Sequence, residues 1–370
     1  MKILTTVDRL KEAAGYLVSI TDKKNIRPNL GYTWVVADKN KLIFSATDLE
    51  ISAKVVTKAQ VEGRGEFCIN IKNLHRILRE LSSGDMEMEV LEENLLKLHF
   101  SHIHYSLLIY RNIDPPPFKW DPSPDKFTLR GKDVLKIIDK TSHAISYDET
   151  RPFLNGIYLQ QIDRNIRAVA TDGYRLSLLE TETQSISDGL LVNGVIVPRR
   201  GVLELKKMAE AYKEDIIEFS VDESFLYANA HNDYLISVRL VAREFPKYQS
   251  RIPGKTAFTL KASRDALYDA FRRIRVMSNE KSGGVSVKLE KNNMSIKAKD
   301  PSAGDARETL PVDYNGKEME IFFKANYLVD TLGNISEGDV TLELNNEFSA
   351  VVVKTAGDPH YLGIIMPLML

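Results

Sequence analysis

The sequence predicts an α+β protein built from three tandem copies of one module, each a pair of helices packed on antiparallel sheet. Three observations predict it. The phrase Ala-Thr-Asp occurs twice, in "IFSATDLEIS" (43–52) and "AVATDGYRLSLLE" (168–180), and a third Asp ends the strand-like "IKAKD" at 300. These aspartates, Asp48, Asp172 and Asp300, stand 124 and 128 residues apart, the length of a domain and far longer than a solenoid repeat. The same order of segments surrounds each one, and proline-rich stretches separate the copies.

Each copy opens with an amphipathic stretch: "VDRLKEAAGYLVSI", "GKDVLKIIDKTSHAIS" and "SRDALYDAFRRIRVMS". Their apolar residues recur at helical spacing. Alternating strands lead to the Asp phrase, where a carboxylate can satisfy backbone N–H groups at a turn. A strand and a second helix follow: "EFCINIKNLHRILREL", "GVIVPRRGVLELKKMAEAY" and "MEIFFKANYLVDTLG". Period-two runs broken by Asn, Glu and Gly close each copy as hairpins: "MEMEVLEENLLKLHF" with "HIHYSLLIY", "IIEFSVDESFLYANAHNDYLISVRLV", and "DVTLELNNEFSAVVVKTAG" with "YLGIIMPL". Turn-rich "IDPPPFKWDPSPD" and "REFPKYQSRIPGK" mark the boundaries, giving modules 1–120, 126–249 and 254–370.

A length of 370 residues and 43% apolar content suit two or three domains with their own cores. No apolar run is long enough to span a membrane, and the N-terminal stretch predicts no secretory signal, so a cytoplasmic protein is expected. The single cysteine, Cys68, sits in apolar "FCINI" and reads as a buried thiol in a reducing compartment.

The net charge of −1 argues against a uniformly basic nucleic-acid binder, but charge can be segregated. At 100° per residue, Val134, Ile137, Ile138 and Thr141 form an inward stripe, and Lys132, Lys136 and Lys140 lie opposite. Leu267, Ala270, Phe271 and Ile274 likewise oppose Arg272 and Arg273. Val202, Leu205 and Ala209 oppose Arg200 and Lys207, with Arg199 beside them, and Arg79 extends the series. The strand runs, such as "GDMEMEVLEEN", are acidic. Basic helix faces and acidic strand runs fit a polyanion partner whose phosphates would be met without reading bases.

Several phrases together are specific: "TDLEI", "RPFLNGIYL", "ATDGYRLSL", "VIVPRRGVLEL", "FPKY", "SNEKSGGV", "EMEIFFKANYLVDTL" and the terminal "MPLML". In this order, along the whole length, the chain resembles the bacterial sliding clamps, the beta subunit of the replicative DNA polymerase III. The resemblance implies the DNA clamp fold, with six modules in a head-to-tail homodimeric ring around duplex DNA. It implies a non-catalytic processivity factor with no cofactor and no metal, working in the bacterial cytoplasm at the nucleoid. It also implies a groove between the second and third modules that takes short linear motifs from the polymerase, the clamp loader and repair proteins. By matching motif, the groove would be lined by Leu154, Thr171, Gly173, Tyr174, Arg175, Leu176, Pro246, Phe348, Ile364, Ile365, Met366, Pro367, Leu368 and Leu370. An apolar chain end such as "YLGIIMPLML" suits such a role. Lys24 and Arg27 would add to the DNA-facing set. Tyr105 and Leu107 of the first module would meet Val276 and Met277 of the third across the dimer interface, and the helix count places Val276 opposite its core stripe. Two departures bear on the groove rim: Met369 stands where the family commonly has Arg, and Gln249 with Ser250 stand where it often has a basic pair.

Other readings are weaker. Asp172 beside Arg175 suggests an enzyme site, and alternation on a strand puts His102 and His104 on one face, near His99, where they could hold a metal. No phosphate-cradling loop or nucleophile motif accompanies them. A peptide-binding scaffold with no DNA role would keep the groove and lack the ring.

Overall fold

The computed structural model describes residues 1–21, 28–111, 114–279, 283–336 and 338–369, with the side chains of 28 and 29 left aside. Its described helices are α1 (Val7–Leu17), α2 (Ile71–Glu80), α3 (Gly131–Thr141), α4 (Arg199–Ala211), α5 (Arg264–Arg275) and α6 (Ala325–Gly333). They fall where the apolar spacing predicts them. Val7, Leu10, Ala13, Ala14 and Leu17 make the buried stripe of α1, and Thr6 caps it by accepting from Arg9 N. Leu267, Ala270, Phe271 and Ile274 make that of α5, capped by Ser263. The last turn of α5 holds Arg272, Arg273 and Arg275, which complement the helix dipole whatever else they do.

The chain forms two compact units. One comprises Met1–Leu135, Thr183–Leu190 and Arg200–Leu240; the other comprises Lys136–Glu182, Leu191–Arg199 and Val241–Leu370. In the first, α1 packs on α2 beside a 14-stranded antiparallel sheet. In the second, α5 packs on α6 beside a 9-stranded and a 4-stranded sheet.

The size of the large sheets has one cause. The strand leaving the first Asp phrase, Ile51–Lys58, pairs antiparallel with Tyr234–Arg239, with Ile51 opposite Val238. The strand leaving the second, Arg175–Glu182, pairs with Tyr361–Ile365, with Arg175 opposite Ile365. Each joint therefore uses the strand after an Asp corner and the last strand of the following repeat. After the third corner, Gly304–Pro311 pairs with Asn293–Asp300 on one side, and no described strand takes its other side. The last strand of the first repeat, Ile103–Tyr110, is paired along Leu95–Phe100, while its second side meets Arg64–Ile69 at Ile109 and Tyr110 alone.

Among the described residues no helix is long and apolar enough to cross a membrane. Cys68 is buried, and burial pushes its thiol up to about 12, which leaves it protonated and unreactive at neutral pH.

Candidate peptide groove and basic helix faces

The second Asp corner is a closed hydrogen-bond lattice. Asp172 Oδ1 accepts from the N–H groups of Tyr174 (2.9 Å) and Arg175 (3.0 Å). Thr171 Oγ1 donates to the Arg175 carbonyl (2.6 Å) and accepts from Gly173 N (3.1 Å). The reversal requires φ +94° at residue 173, which glycine adopts without a Cβ penalty. This lattice forces Tyr174 outward to 58% exposure. The Tyr174 carbonyl accepts from Met366 N (2.8 Å), so the corner and the chain end are tied together.

Leu176 and Ile364 are directly opposed across the joint and share a buried cluster with Val169, Leu178 and Tyr248. Tyr158, Phe245, Ile252, Ala350 and Leu362 pack against it. Tyr158 stacks on Phe245 with centroids 4.7 Å apart. Each such side chain contributes on the order of 1.5–3 kcal/mol of burial. Above this floor stand exposed apolar groups: Tyr174, Phe348 (69%), Met366 and Met369 (80%). Phe348 sits on the turn before Val351–Thr355, the strand that pairs with Ile364. Pro246 is exposed and its carbonyl accepts from Tyr248 N (2.7 Å). Leu368 N donates to the Phe322 carbonyl (2.7 Å), with Pro367 buried before it.

Among the expected lining residues, Leu154 and Ile365 are wholly buried and serve as support beneath the surface. Arg175 is also sunk. Its guanidinium lies over the Tyr327 ring (4.7 Å), 2.6 Å from Asp330 and 3.2 Å from Asp172. It bolts the corner to α6 and offers no free charge at the rim. Behind it His143 Nδ1 is enclosed without a hydrogen-bond partner, and burial, Arg175 and Lys140 hold the imidazole down to about 3, hence neutral. Leu370 lies outside the described residues. Sequence matching missed Tyr248, Leu178 and Ile252 in the floor and Asp330 and Tyr327 as holders. Tyr248, Leu178, Tyr327 and Asp330 lie inside the matched phrases "FPKY", "ATDGYRLSL" and "EMEIFFKANYLVDTL" without being marked as lining, and Ile252 lies outside them.

The basic residues of the helices divide into three groups. Arg79 and Arg199 are exposed, and neither pairs with a carboxylate among the described residues; Arg199 lies over the Tyr147 ring at 4.1 Å. Lys132, Lys136, Arg200, Lys207, Arg272 and Arg273 each reach a carboxylate, respectively Glu214 (4.0 Å), Asp358 (3.0 Å), Asp48 (2.5 Å), Glu204 (2.9 Å), Asp269 (3.7 Å) and Glu308 (2.5 Å). The Lys132–Glu214 and Arg272–Asp269 pairs are exposed on both sides and worth about 0–1 kcal/mol, so a phosphate can displace those carboxylates; Asp358, Asp48 and Glu204 are largely buried, but the cations they hold remain partly exposed. Lys140 is a correction. The helix count places it outward, yet it is 8% exposed, donates to the Asn334 carbonyl (2.6 Å) and lies 5.2 Å from the Tyr361 ring. Desolvation lowers its pKa. The helix wheel counts α3 alone, and the chain around Asn334 covers that side. Lys24 and Arg27 lie outside the described residues.

At the expected dimer surfaces, Val276 is 78% exposed, and Met277 is half-buried. Tyr105 and Leu107 are also half-buried, on the face of their strand shared with buried Ile109. The opposite face of the strand carries Leu108 (68%) and Tyr110, also exposed. His102 lies in the hairpin turn, so the histidine opposed to His104 is His99.

Comparison with known proteins agrees with this architecture. Residues 1–111, 128–247 and 249–369 match the N-terminal, central and C-terminal domains of the DNA polymerase III beta subunit. The chain is 29% identical to the Beta sliding clamp of Caulobacter vibrioides strain NA1000 over the full length of both. It superposes on the crystal structure of the DNA polymerase III subunit beta from Pseudomonas aeruginosa with a TM-score of 0.92 at 26% identity, covering both chains entirely. A C. crescentus beta sliding clamp, solved with polyethylene glycol at a region proposed to tether the beta motif, matches with a TM-score of 0.92 at 28% identity, covering 100% of this chain and 99% of that one. Three consecutive domain matches, a shared full length and the repeated corner identify the chain as a member of the bacterial beta sliding clamp family, the non-catalytic processivity subunit of DNA polymerase III.

Proposed function

We propose that two copies of this chain close head to tail into a ring that slides on duplex DNA and holds polymerase and other replication proteins by short peptides. One observation carries the reading. Two of the three corner strands are paired with the last strand of the next repeat; among the described residues, one side of the third corner strand and most of one side of the first repeat's last strand are unpaired. Open edges of this kind are templates for pairing with another chain. Joining Gly304–Pro311 of one copy to Ile103–Tyr110 of another repeats the internal joint, and doing so twice covers both of these open sides in each copy. Val276 and Met277 would meet Tyr105 and Leu107 at this contact, with exposed Leu108 and Tyr110 beside them.

In this reading the repeats are modules 1–120, 126–249 and 254–370, six to a ring. Arg79, Lys132, Lys136, Arg199, Arg200, Lys207, Arg272 and Arg273 face the DNA, with Lys24 and Arg27 joining them. Loosely paired charges suit a clamp that slides, because contact with any phosphate replaces contact with a carboxylate at little net gain. Tyr174, Pro246, Phe348, Met366, Leu368 and Leu370 line the groove, with Thr171, Gly173, Leu176, Ile364 and Pro367 shaping it. Motifs of the polymerase, clamp loader and repair proteins dock there by apolar anchors. The protein works in the cytoplasm at the nucleoid and needs no cofactor.

Light scattering tests the closure: the solution mass should be about twice 41.9 kDa. Loaded protein should stay on circular DNA and leave it after linearisation. Replacing Lys136, Arg200 and Arg272 together by Ala should weaken retention on DNA without changing peptide affinity. A monomer, or equal retention on cut DNA, would overturn the ring.

A further inference from the structure

His99 and His104 occupy directly opposed positions on the hairpin formed by Leu95–Phe100 and Ile103–Tyr110. Their Nδ1 atoms are 2.7 Å apart, and their rings meet edge to face with centroids 4.9 Å apart. The turn between them is tight, with Ser101 at φ +53°, so the two rings are held side by side. On the adjacent strand, Glu87 is directly opposite His99. Glu87, His99 and His104 thus make one lateral row on one face of the sheet. Both histidines are outside the core. Glu87 and His99 also line a concavity of about 930 Å³, so the row has room for an ion with its water.

We propose that this row is a site for a divalent transition-metal ion of the Zn²⁺, Ni²⁺ or Cu²⁺ class, with His99 and His104 as the primary ligands. Two imidazole nitrogens about 2.0–2.1 Å from Zn²⁺ stand roughly 2.9–3.4 Å from one another. The observed separation reaches that range by small side-chain rotations. The proton now shared between the two Nδ1 atoms moves to Nε2 of its own ring, leaving both Nδ1 lone pairs for the metal. Among the described residues no three potential ligands already converge on one point. The third is Glu87, which leaves Lys2, a partner only 4.0 Å away and exposed. Water completes the shell. Imidazole donors select this class over Mg²⁺ and Ca²⁺, which prefer oxygen. Bound metal would pin together the two strands of the hairpin whose outer edge is open.

The full-length protein, stripped with EDTA, would be titrated with Co²⁺ and, separately, with Zn²⁺. The expected result is a visible Co²⁺ ligand-field band saturating at one equivalent per chain. Thermal unfolding should shift upward with the logarithm of free Zn²⁺, reverse with EDTA, and not respond to Mg²⁺. His99→Gln and His104→Gln should each abolish the band and the shift while unfolding normally without metal, and Glu87→Gln should weaken Co²⁺ binding by about tenfold or more. Absence of the band, or its persistence in the double histidine variant, would overturn the site.

Discussion

The corner at Thr47–Ser52 and the corner at Thr171–Leu176 are one piece of backbone built twice and put to different uses. In both, threonine Oγ1 donates to the carbonyl four residues on and accepts from the N–H two residues on. In both, aspartate Oδ1 accepts from the second and third following N–H groups. The difference lies in the outer oxygen and in what surrounds it. Asp48 Oδ2 accepts from Arg200, and Glu50 is held by Arg239, so the first corner is stitched to the following repeat by charges. Asp172 Oδ2 accepts from Arg175 of its own turn, and Tyr174 and Met366 are left bare beside it. The repeated part is scaffold; in the proposed function the binding chemistry resides in what departs from the repeat.

The largest effect should come from removing what only the second corner has. Deleting Met366–Leu370 should weaken binding of a polymerase-derived peptide, followed by fluorescence polarisation, by about 100-fold or more, equivalent to about 2.7 kcal/mol. DNA retention should survive. Persisting peptide affinity would place the groove elsewhere.

Next in size, Asp48→Ala and Asp172→Ala each orphan two backbone N–H groups, at a cost of about 1–3 kcal/mol each in urea unfolding. Peptide affinity should fall for Asp172→Ala alone. An equal loss in both would mean that the two corners share the function after all.

Acid should also act on the second corner. His143 is held neutral, with its pKa lowered to about 3 from an ordinary value of about 6.5. The unfolded chain therefore takes up the proton first, and stability present above about pH 6.5 is lost as pH falls toward 3. The loss is at most about 1.4 kcal/mol per pH unit from this residue. Denaturant unfolding from pH 7 to 5 should show it, and His143→Gln should flatten the slope.

The smallest contrast concerns the turn itself. Leu49 stands at φ +77° where the second corner has Gly173 at +94°. Gly173→Ala should cost about 1 kcal/mol of backbone strain, with its Cβ 3.2 Å from Arg151 Nη1. Leu49→Gly should be close to neutral in melting temperature, since relief of strain offsets the added freedom of the unfolded chain.

Much of this was legible in the residues. The helices announce themselves by apolar spacing, and the Asp phrase marks the corner because a short carboxylate is what such a turn needs. Spacing along one helix could not show that Lys140 is covered, because its neighbours come from far along the chain, Asn334 194 residues away and Tyr361 further still. The same holds for Arg175, whose partner Asp330 is 155 residues distant. Strand alternation puts Tyr105, Leu107 and Ile109 on one face and Leu108 with Tyr110 on the other, and both faces carry apolar side chains. Periodicity reads local order well and long-range partners not at all.

The unmatched sides of Gly304–Pro311 and Ile103–Tyr110 carry a consequence for how such an assembly is entered. In the proposed ring two of every three seams would be backed by continuous chain, so parting one of them would leave its two sides tethered. The remaining seam, between copies, has no covalent backing. A circle made this way has its natural gate there, and whatever threads DNA through it has to work on that gate rather than on the seams within a chain.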